Sequence, residues 1–312
     1  MLLNSKKPIN VAGNILMVLS FAFIIDRIIK YKIDFYSVFS RQFFLIMGIS
    51  IITYAIVVLI MAKMYEALLR VLWEKAIIKG STIYIYCKSN LYKYLPGNVF
   101  HYVGRNQIAI DEGILHRVVI SATIAEMLLQ VVAGVISALA FAGHYAISWL
   151  LDNNTLKLII MTAIVILIAC STIIILYRIN GRAKESIDKC ISSIRPIRST
   201  VFFKFSIVYL TIFILNGIMF IVLLYGIGGN PGTNLIMPII GMYSFSWAAG
   251  FVTPGAPAGL GIREAVMSTL LFGIVDENIV ITSVLLFRVV TIFGDVLGFL
   301  VASYINKAIN KG

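Results

Sequence analysis

Long apolar stretches dominate this chain, and several windows exceed 18 residues. Each is long enough to cross the roughly 30 Å hydrocarbon core of a bilayer as a helix. Helices are expected because backbone polar groups in hydrocarbon must find their partners within the segment. The 312 residues are 60% hydrophobic and 13% charged, which excludes an ordinary soluble domain. The predicted spans are 9–29, 43–62, 118–142, 156–177, 205–227 and 280–303.

Two further hydrophobic regions are interrupted at their centres: the first broken region (80–116) and the second broken region (235–275). In each, an arginine follows nine residues after the proline of a Pro-Gly pair: Pro96, Gly97 and Arg105 in the first, Pro254, Gly255 and Arg263 in the second. Backbone groups freed by proline and glycine survive at membrane depth only where they are buried in protein or face a wet cavity. Paired interruptions in the two halves of a chain point to a transporter's binding site.

The distribution of basic residues predicts the orientation. Nineteen Lys and Arg lie in segments 63–117 and 178–204 and in the two tails, against five in the other loops. Because cytoplasmic loops are enriched in these residues, both termini are expected in the cytoplasm, with the protein in the cytoplasmic (inner) membrane. The first broken region would then enter from the cytoplasmic face and the second from outside.

The architecture expected is an all-α polytopic membrane protein, with residues 1–312 as a single transmembrane domain. The broken regions are expected to be re-entrant helical hairpins, and the halves, about 9–142 and 156–303, to form an inverted repeat. Alternatively, one or both broken regions cross fully as kinked helices, which raises the number of spans from six toward eight.

Composition also narrows the partners. The net charge of +12 comes from basic residues in loops, so contact with anionic lipid headgroups is expected and nucleic-acid binding is not. Three cysteines without a CxxC and three histidines without ligand spacing indicate no metal site, and no cofactor is expected. HExxH, GxSxG and Walker A motifs are absent, so no recognised catalytic motif marks the chain as an enzyme.

Charged residues inside apolar segments are the candidate substrate-binding residues: Arg105, Glu126, Arg263, Glu264, Arg288 and Asp295. Each costs about 2.5–3.5 kcal/mol at a helix centre on insertion scales, so each should face the bundle interior or water. Two interpretations stay open. The arginines hold a phosphate, which matches the guanidinium fork, or the set forms structural ion pairs such as Glu126 with Arg105 and Arg288 with Glu264.

The tips of the broken regions complete the candidate site with Pro96, Gly97, Asn98, Pro254, Gly255, Gly259 and Gly261. The glycine-rich second tip carries little side chain, so its backbone can approach a ligand closely. A helix beginning near Gly261 would direct N–H groups at an anion. The residues that either line a headgroup pocket or pack as ordinary aromatics are Tyr94, His101, Tyr102 and Trp247.

These motifs resemble those of a known family. The segment KYLPGNVFHYVGR (93–105) is similar to the KYLPGN-containing segment of the lysylphosphatidylglycerol synthase transmembrane (flippase) family. PGAPAGLGIRE (254–264) resembles that family's PGGLGxRE segment, with an inserted-looking Ala-Pro, and Glu126 resembles the glutamate at the start of its following span. The resemblance implies an inner-membrane protein with re-entrant helices that moves lipids between leaflets.

The family's bifunctional enzymes carry a soluble aminoacyl-transfer domain after the membrane part. This chain reaches Gly312 without one, so it is expected to be a stand-alone member that does not make aminoacylated lipid.

Three functions follow as hypotheses. The preferred one is flippase-like translocation of an anionic lipid, either a phospholipid or a polyprenyl-phosphate glycolipid. The second is a membrane glycosyltransferase that uses a polyprenyl-linked sugar, with Asp26 or Asp34 as its catalytic carboxylate. The third is a non-catalytic membrane partner of a lipid-modifying or glycosyl-transfer enzyme.

Overall fold

The structure is a computed structural model that describes residues 41–73, 79–94, 100–150, 199–252, 259 and 261–309. Its regular elements in these ranges are all helical, which confirms the all-α prediction. The α-helices are α1 Arg41–Leu72, α2 Lys79–Asn90, α3 Phe100–Asp111, α4 His116–Leu150, α5 Ser199–Gly226, α6 Ile236–Val252, α7 Ile262–Leu270 and α8 Glu277–Ile309. Short 3-10 helices occupy Leu91–Tyr94 and Thr233–Leu235.

Four of the described helices, α1, α4, α5 and α8, are long and apolar enough to cross a membrane. They correspond to the predicted spans 43–62, 118–142, 205–227 and 280–303, and each begins or ends several residues beyond the prediction. The predicted spans 9–29 and 156–177 lie outside the described residues.

One face of α1 shows how such a helix meets lipid. Phe44, Leu45, Ile49, Ile52 and Ile56 recur at helical spacing, and all are exposed. An exposed stripe of large apolar side chains would be unfavourable in water, but it matches the hydrocarbon of a bilayer.

Each broken region folds as two short helices packed against each other: α2 against α3, and α6 against α7. We call these pairs the first hairpin (79–111) and the second hairpin (236–270). At 1.5 Å per residue the 12-residue helices α2 and α3 are each about 18 Å long, well short of a roughly 30 Å core. The tips at 95–99 and 253–258 lie outside the described residues, and re-entry into the membrane stays a prediction.

Contacts between the two halves are reciprocal. Helix α2 of the first hairpin packs against α8 of the second half, and α6 of the second hairpin packs against α4 of the first half. Likewise α1 packs against α8, and α5 against α4. This exchange is what an internal repeat produces when each half completes the other, while the inversion of one half relative to the other stays a prediction.

Glycines permit the closest helix crossings. A Cβ added to Gly241 on α6 would lie 2.5 Å from the backbone nitrogen of Ala142 on α4. A Cβ on Gly217 of α5 would lie 2.9 Å from the Cα of Ile240. Because the neighbouring atoms are backbone, a side chain there must push whole helices apart, which is why small residues occupy such crossings in membranes.

We expect Gly241→Ala to lower the melting temperature of the detergent-solubilised protein, because overpacking of this kind costs about 1–3 kcal/mol. The matched control is Gly48→Ala on α1, where an added Cβ meets nothing within 4 Å. Fluorescence-detected thermal unfolding of both variants compares them directly. Equal melting temperatures for both would show that α4 and α6 are not in close contact at this crossing.

Candidate functional site

A cavity of about 160 Å³ lies inside the bundle, and every described α-helix contributes to its wall. At about 30 Å³ per water molecule, it has room for roughly five waters or a small polar group, not for a whole lipid. Both hairpins reach it: the first through Arg105 and the second through Arg263. The aromatic candidates also line it: Tyr94, His101, Tyr102 and Trp247.

Arg105 on α3 forms a buried ion pair with Glu126 on α4. The second carboxylate oxygen of Glu126 accepts hydrogen bonds from Tyr86 at 2.7 Å, Gln130 at 3.2 Å and Tyr209 at 3.4 Å. With 2% of each side chain of the pair exposed, both charges are shielded from solvent. This is one of the two ion pairs that the structural interpretation of the sequence names.

The guanidinium of Arg105 is further enclosed by aromatic rings. Its central carbon lies 4.1 Å from the ring centre of Tyr86 and 4.5 Å from that of Tyr65. Cation–π contacts of this kind stabilise a desolvated arginine. Its Nε also donates to the Ser89 hydroxyl at 3.3 Å. Arg105 therefore has partners on several sides and joins the first hairpin to α1 and α4.

Asp295 on α8 is fully buried and holds the end of α2 and the adjacent 3-10 helix. Lys93 pairs with it at 2.6 Å, Asn90 donates to it at 2.7 Å, and the Tyr94 hydroxyl donates a short hydrogen bond. All three partners belong to the first hairpin, so α8 fixes the segment that leads into its tip.

The position of Lys93 corrects the charge count used for orientation. Lys93 and Arg105 were both counted as cytoplasmic loop residues, but both pair with carboxylates inside the bundle. Removing them leaves 19 − 2 = 17 basic residues against five, so the bias keeps its direction.

The second predicted ion pair joins Arg288 on α8 to Glu264 on α7. Arg288 also donates to the carbonyl of Gly259 at 3.0 Å, so it holds the segment that precedes α7. Gly259 and Gly261 have φ values of +72° and +83°, which side-chain-bearing residues rarely adopt. Helix α7 begins at Ile262 directly after Gly261, as expected from the sequence.

Arg263 differs from the other charged residues of the cavity. No ion pair among the described residues includes it, and its Nε is buried without a hydrogen-bond partner. Its side chain lies in a slot between Gly250 and Gly259, where an added Cβ on either glycine would be 3.1 Å from that Nε. In the described part of the chain, the cavity therefore contains one arginine without a counter-ion.

Equal spacing in the two halves explains this difference. Glu126 follows Arg105 by 21 residues, and the residue 21 positions after Arg263 is Val284. Val284 lines the same cavity and is buried. The second half thus has an apolar side chain at the position where the first half has the arginine's counter-ion.

Five of the proposed tip residues lie outside the described residues: Pro96, Gly97, Asn98, Pro254 and Gly255. So do Asp26 and Asp34, on which the glycosyltransferase hypothesis depends. Sequence reasoning missed the polar cavity residues Tyr86, Asn90, Gln130, Tyr209 and Asn216. For Gln130 and Asn216 a signal existed, because an amide inside an apolar span needs a partner as a charge does.

Comparison with known families matches residues 100–298 to the lysylphosphatidylglycerol synthase TM region. The chain belongs to this family. The matched range includes Arg105, Glu126, Arg263, Arg288 and Asp295, and it begins just after the tip of the first hairpin. No curated protein matched the chain.

Membership of the lysylphosphatidylglycerol synthase TM region family confirms the resemblance on the motifs and establishes a membrane protein with a lipid-related function. The family description refers to the membrane part of the synthase. The cavity described above therefore lies in the segment that defines the family.

We expect Glu126→Leu to destabilise the protein strongly, because a buried arginine left without its counter-ion costs about 3–5 kcal/mol. The double variant Arg105→Met with Glu126→Leu should recover much of that loss, since no buried charge is then stranded. The control is Glu66→Gln, whose ion-pair partner Arg70 is 46% exposed and stays hydrated, so a change within about 1 kcal/mol is expected.

Thermal unfolding in detergent measures all three variants. Strictly additive losses for Arg105→Met and Glu126→Leu would contradict a buried ion pair, since coupled residues must show an interaction energy.

Proposed function

We propose that this protein translocates an anionic lipid across the cytoplasmic membrane, as a flippase-like transporter and not as an enzyme, with both termini in the cytoplasm. The observation that carries the proposal is Arg263, a cation without a counter-ion in a cavity to which both hairpins contribute. The family supplies the lipid context.

A buried guanidinium without a partner is unfavourable, since its desolvation is not offset by an opposite charge. A lipid phosphate would remove that cost, because its oxygens accept two parallel hydrogen bonds from the guanidinium fork. The size of the cavity suits the polar part of a lipid, and the acyl or prenyl chains would stay in the bilayer. Binding a headgroup inside the bundle while the tails remain in lipid is what movement between leaflets requires.

The paired charges have a different part in this proposal. Arg105–Glu126 and Lys93–Asp295 fix the first hairpin, and Arg288–Glu264 fixes the base of α7. In this arrangement they form a frame that holds the walls of the cavity, and the lipid phosphate does not compete with three existing carboxylates for its cation. The sequence-based expectation that Arg105 and Arg263 serve alike as phosphate ligands is therefore refined to Arg263 as the ligand.

We expect Arg263→Gln to reduce lipid translocation at least tenfold, because a charge-assisted bidentate contact contributes about 1.5–3 kcal/mol. Arg263→Lys should retain part of the activity, since the charge remains and the planar fork is lost. The assay is leaflet-resolved transport of a fluorescent anionic phospholipid in proteoliposomes.

The matched control is Arg70→Gln, which removes a largely exposed arginine outside the cavity and should leave transport near the wild-type rate. Equal rates in protein-containing and protein-free vesicles would disprove translocation of this lipid. Full activity of Arg263→Gln would remove Arg263 from the site.

A further inference from the structure

Unpartnered polar atoms concentrate in the cavity. Among the described residues, four buried side-chain atoms lack a hydrogen-bond partner: His101 Nδ1, Asn216 Oδ1, Arg263 Nε and Asn306 Oδ1. The first three belong to residues that line this cavity, and they come from three different helices, α3, α5 and α7. Buried polar groups in native proteins nearly always have partners, so a cluster of exceptions in one cavity indicates a missing ligand or water.

Asn216 specifies one part of that ligand. Its amide nitrogen donates to the carbonyl of Ile212 one helical turn earlier at 2.9 Å, which fixes the orientation of the amide. The oxygen that remains is a hydrogen-bond acceptor. Its partner must therefore be a donor, and a headgroup hydroxyl provides one without adding charge.

The charges of the site specify another part. Counting the ionised residues that line the cavity together with their direct partners gives four cations, Lys93, Arg105, Arg263 and Arg288, and three anions, Glu126, Glu264 and Asp295. The sum is 4 − 3 = +1, and the excess lies at Arg263. The two tips outside the described residues, 95–99 and 253–258, have no charged side chain and leave this sum unchanged.

The same count argues against a cationic headgroup. Each of the three carboxylates already has an arginine or lysine partner. An ammonium group would have to displace one of these partners and leave it stranded in the bundle, at a cost that a neutral headgroup avoids. A diphosphate has the opposite problem, because its second negative charge would meet no second free cation among the described residues.

We infer that the lipid translocated by this protein is a phosphodiester with one negative charge and an uncharged, hydroxyl-bearing headgroup. Its phosphate binds Arg263, and a headgroup hydroxyl donates to Asn216. The inference rests on the proposed function and specifies its substrate class. Two sources supply this chemistry: a glycerophospholipid with a polyol headgroup, and a polyprenyl monophosphate sugar.

The test is transport of four fluorescent lipids in proteoliposomes of the full chain. Phosphatidylglycerol and a polyprenyl phosphoglucose both have the inferred chemistry, and they distinguish its two sources. Phosphatidylmethanol keeps the single charge and lacks the headgroup hydroxyl, and phosphatidylethanolamine adds an ammonium group. We expect at least one of the first two to move about five- to tenfold faster than both others, as loss of one buried hydrogen bond or an unpaired charge predicts.

Asn216→Leu isolates the hydroxyl contact. In this variant, phosphatidylmethanol should move as fast as the preferred lipid, because the difference between them depends on that acceptor, while phosphatidylethanolamine stays slow. Arg263→Gln should instead slow all monoanionic lipids alike. The comparison among lipids with the unmodified protein does not depend on whether either variant folds.

The outcomes separate the two proposals. Equal transport of all four lipids would support translocation and overturn the substrate class. Faster transport of phosphatidylethanolamine would overturn it as well. If no lipid moves, the transport proposal fails, and the substrate class is then decided by competition between the same four lipids for the purified protein, measured by native mass spectrometry. Equal binding of all four would overturn it.

Discussion

Desolvation of charge is the constraint on which the rest of this structure depends. A membrane bundle can keep an arginine or an aspartate in its interior only if an opposite charge and further hydrogen-bond donors or acceptors surround it. Arg105 and Glu126 meet this requirement with an ion pair enclosed by Tyr65, Tyr86 and Tyr209. Because the pair joins α3 to α4, satisfying the charges also fixes the first hairpin in place.

The two halves use similar parts unequally. The first half has an arginine, and 21 residues later a glutamate, while the second half has an arginine and then Val284. One half therefore has a closed electrostatic circuit and the other has an open one. A repeat that becomes specialised in this way can keep the scaffold of both hairpins and still give one of them a free charge for a ligand.

Sequence alone predicted the elements well and their partners incompletely. The four described spans followed from the length of apolar runs, because lipid leaves helices as the available solution. Both ion pairs appeared among the alternatives, yet the choice between structural and ligand-binding arginines depended on which carboxylate lies nearby. Lys93 was assigned to a loop, since its partner Asp295 is about 200 residues away in the chain. Contacts at that separation are a property of the fold, and local spacing does not encode them.

The slot around Arg263 has a consequence for how the cavity could change. Gly250 and Gly259 face each other across this side chain, and their missing Cβ atoms leave the space that it occupies. The location of the excess positive charge is therefore set by what two neighbours lack, without any group that attracts it. A single methyl group at either glycine would move the charge while leaving its identity intact, so such a protein can adjust its selectivity through steric substitutions that no charge-based comparison of sequences would detect.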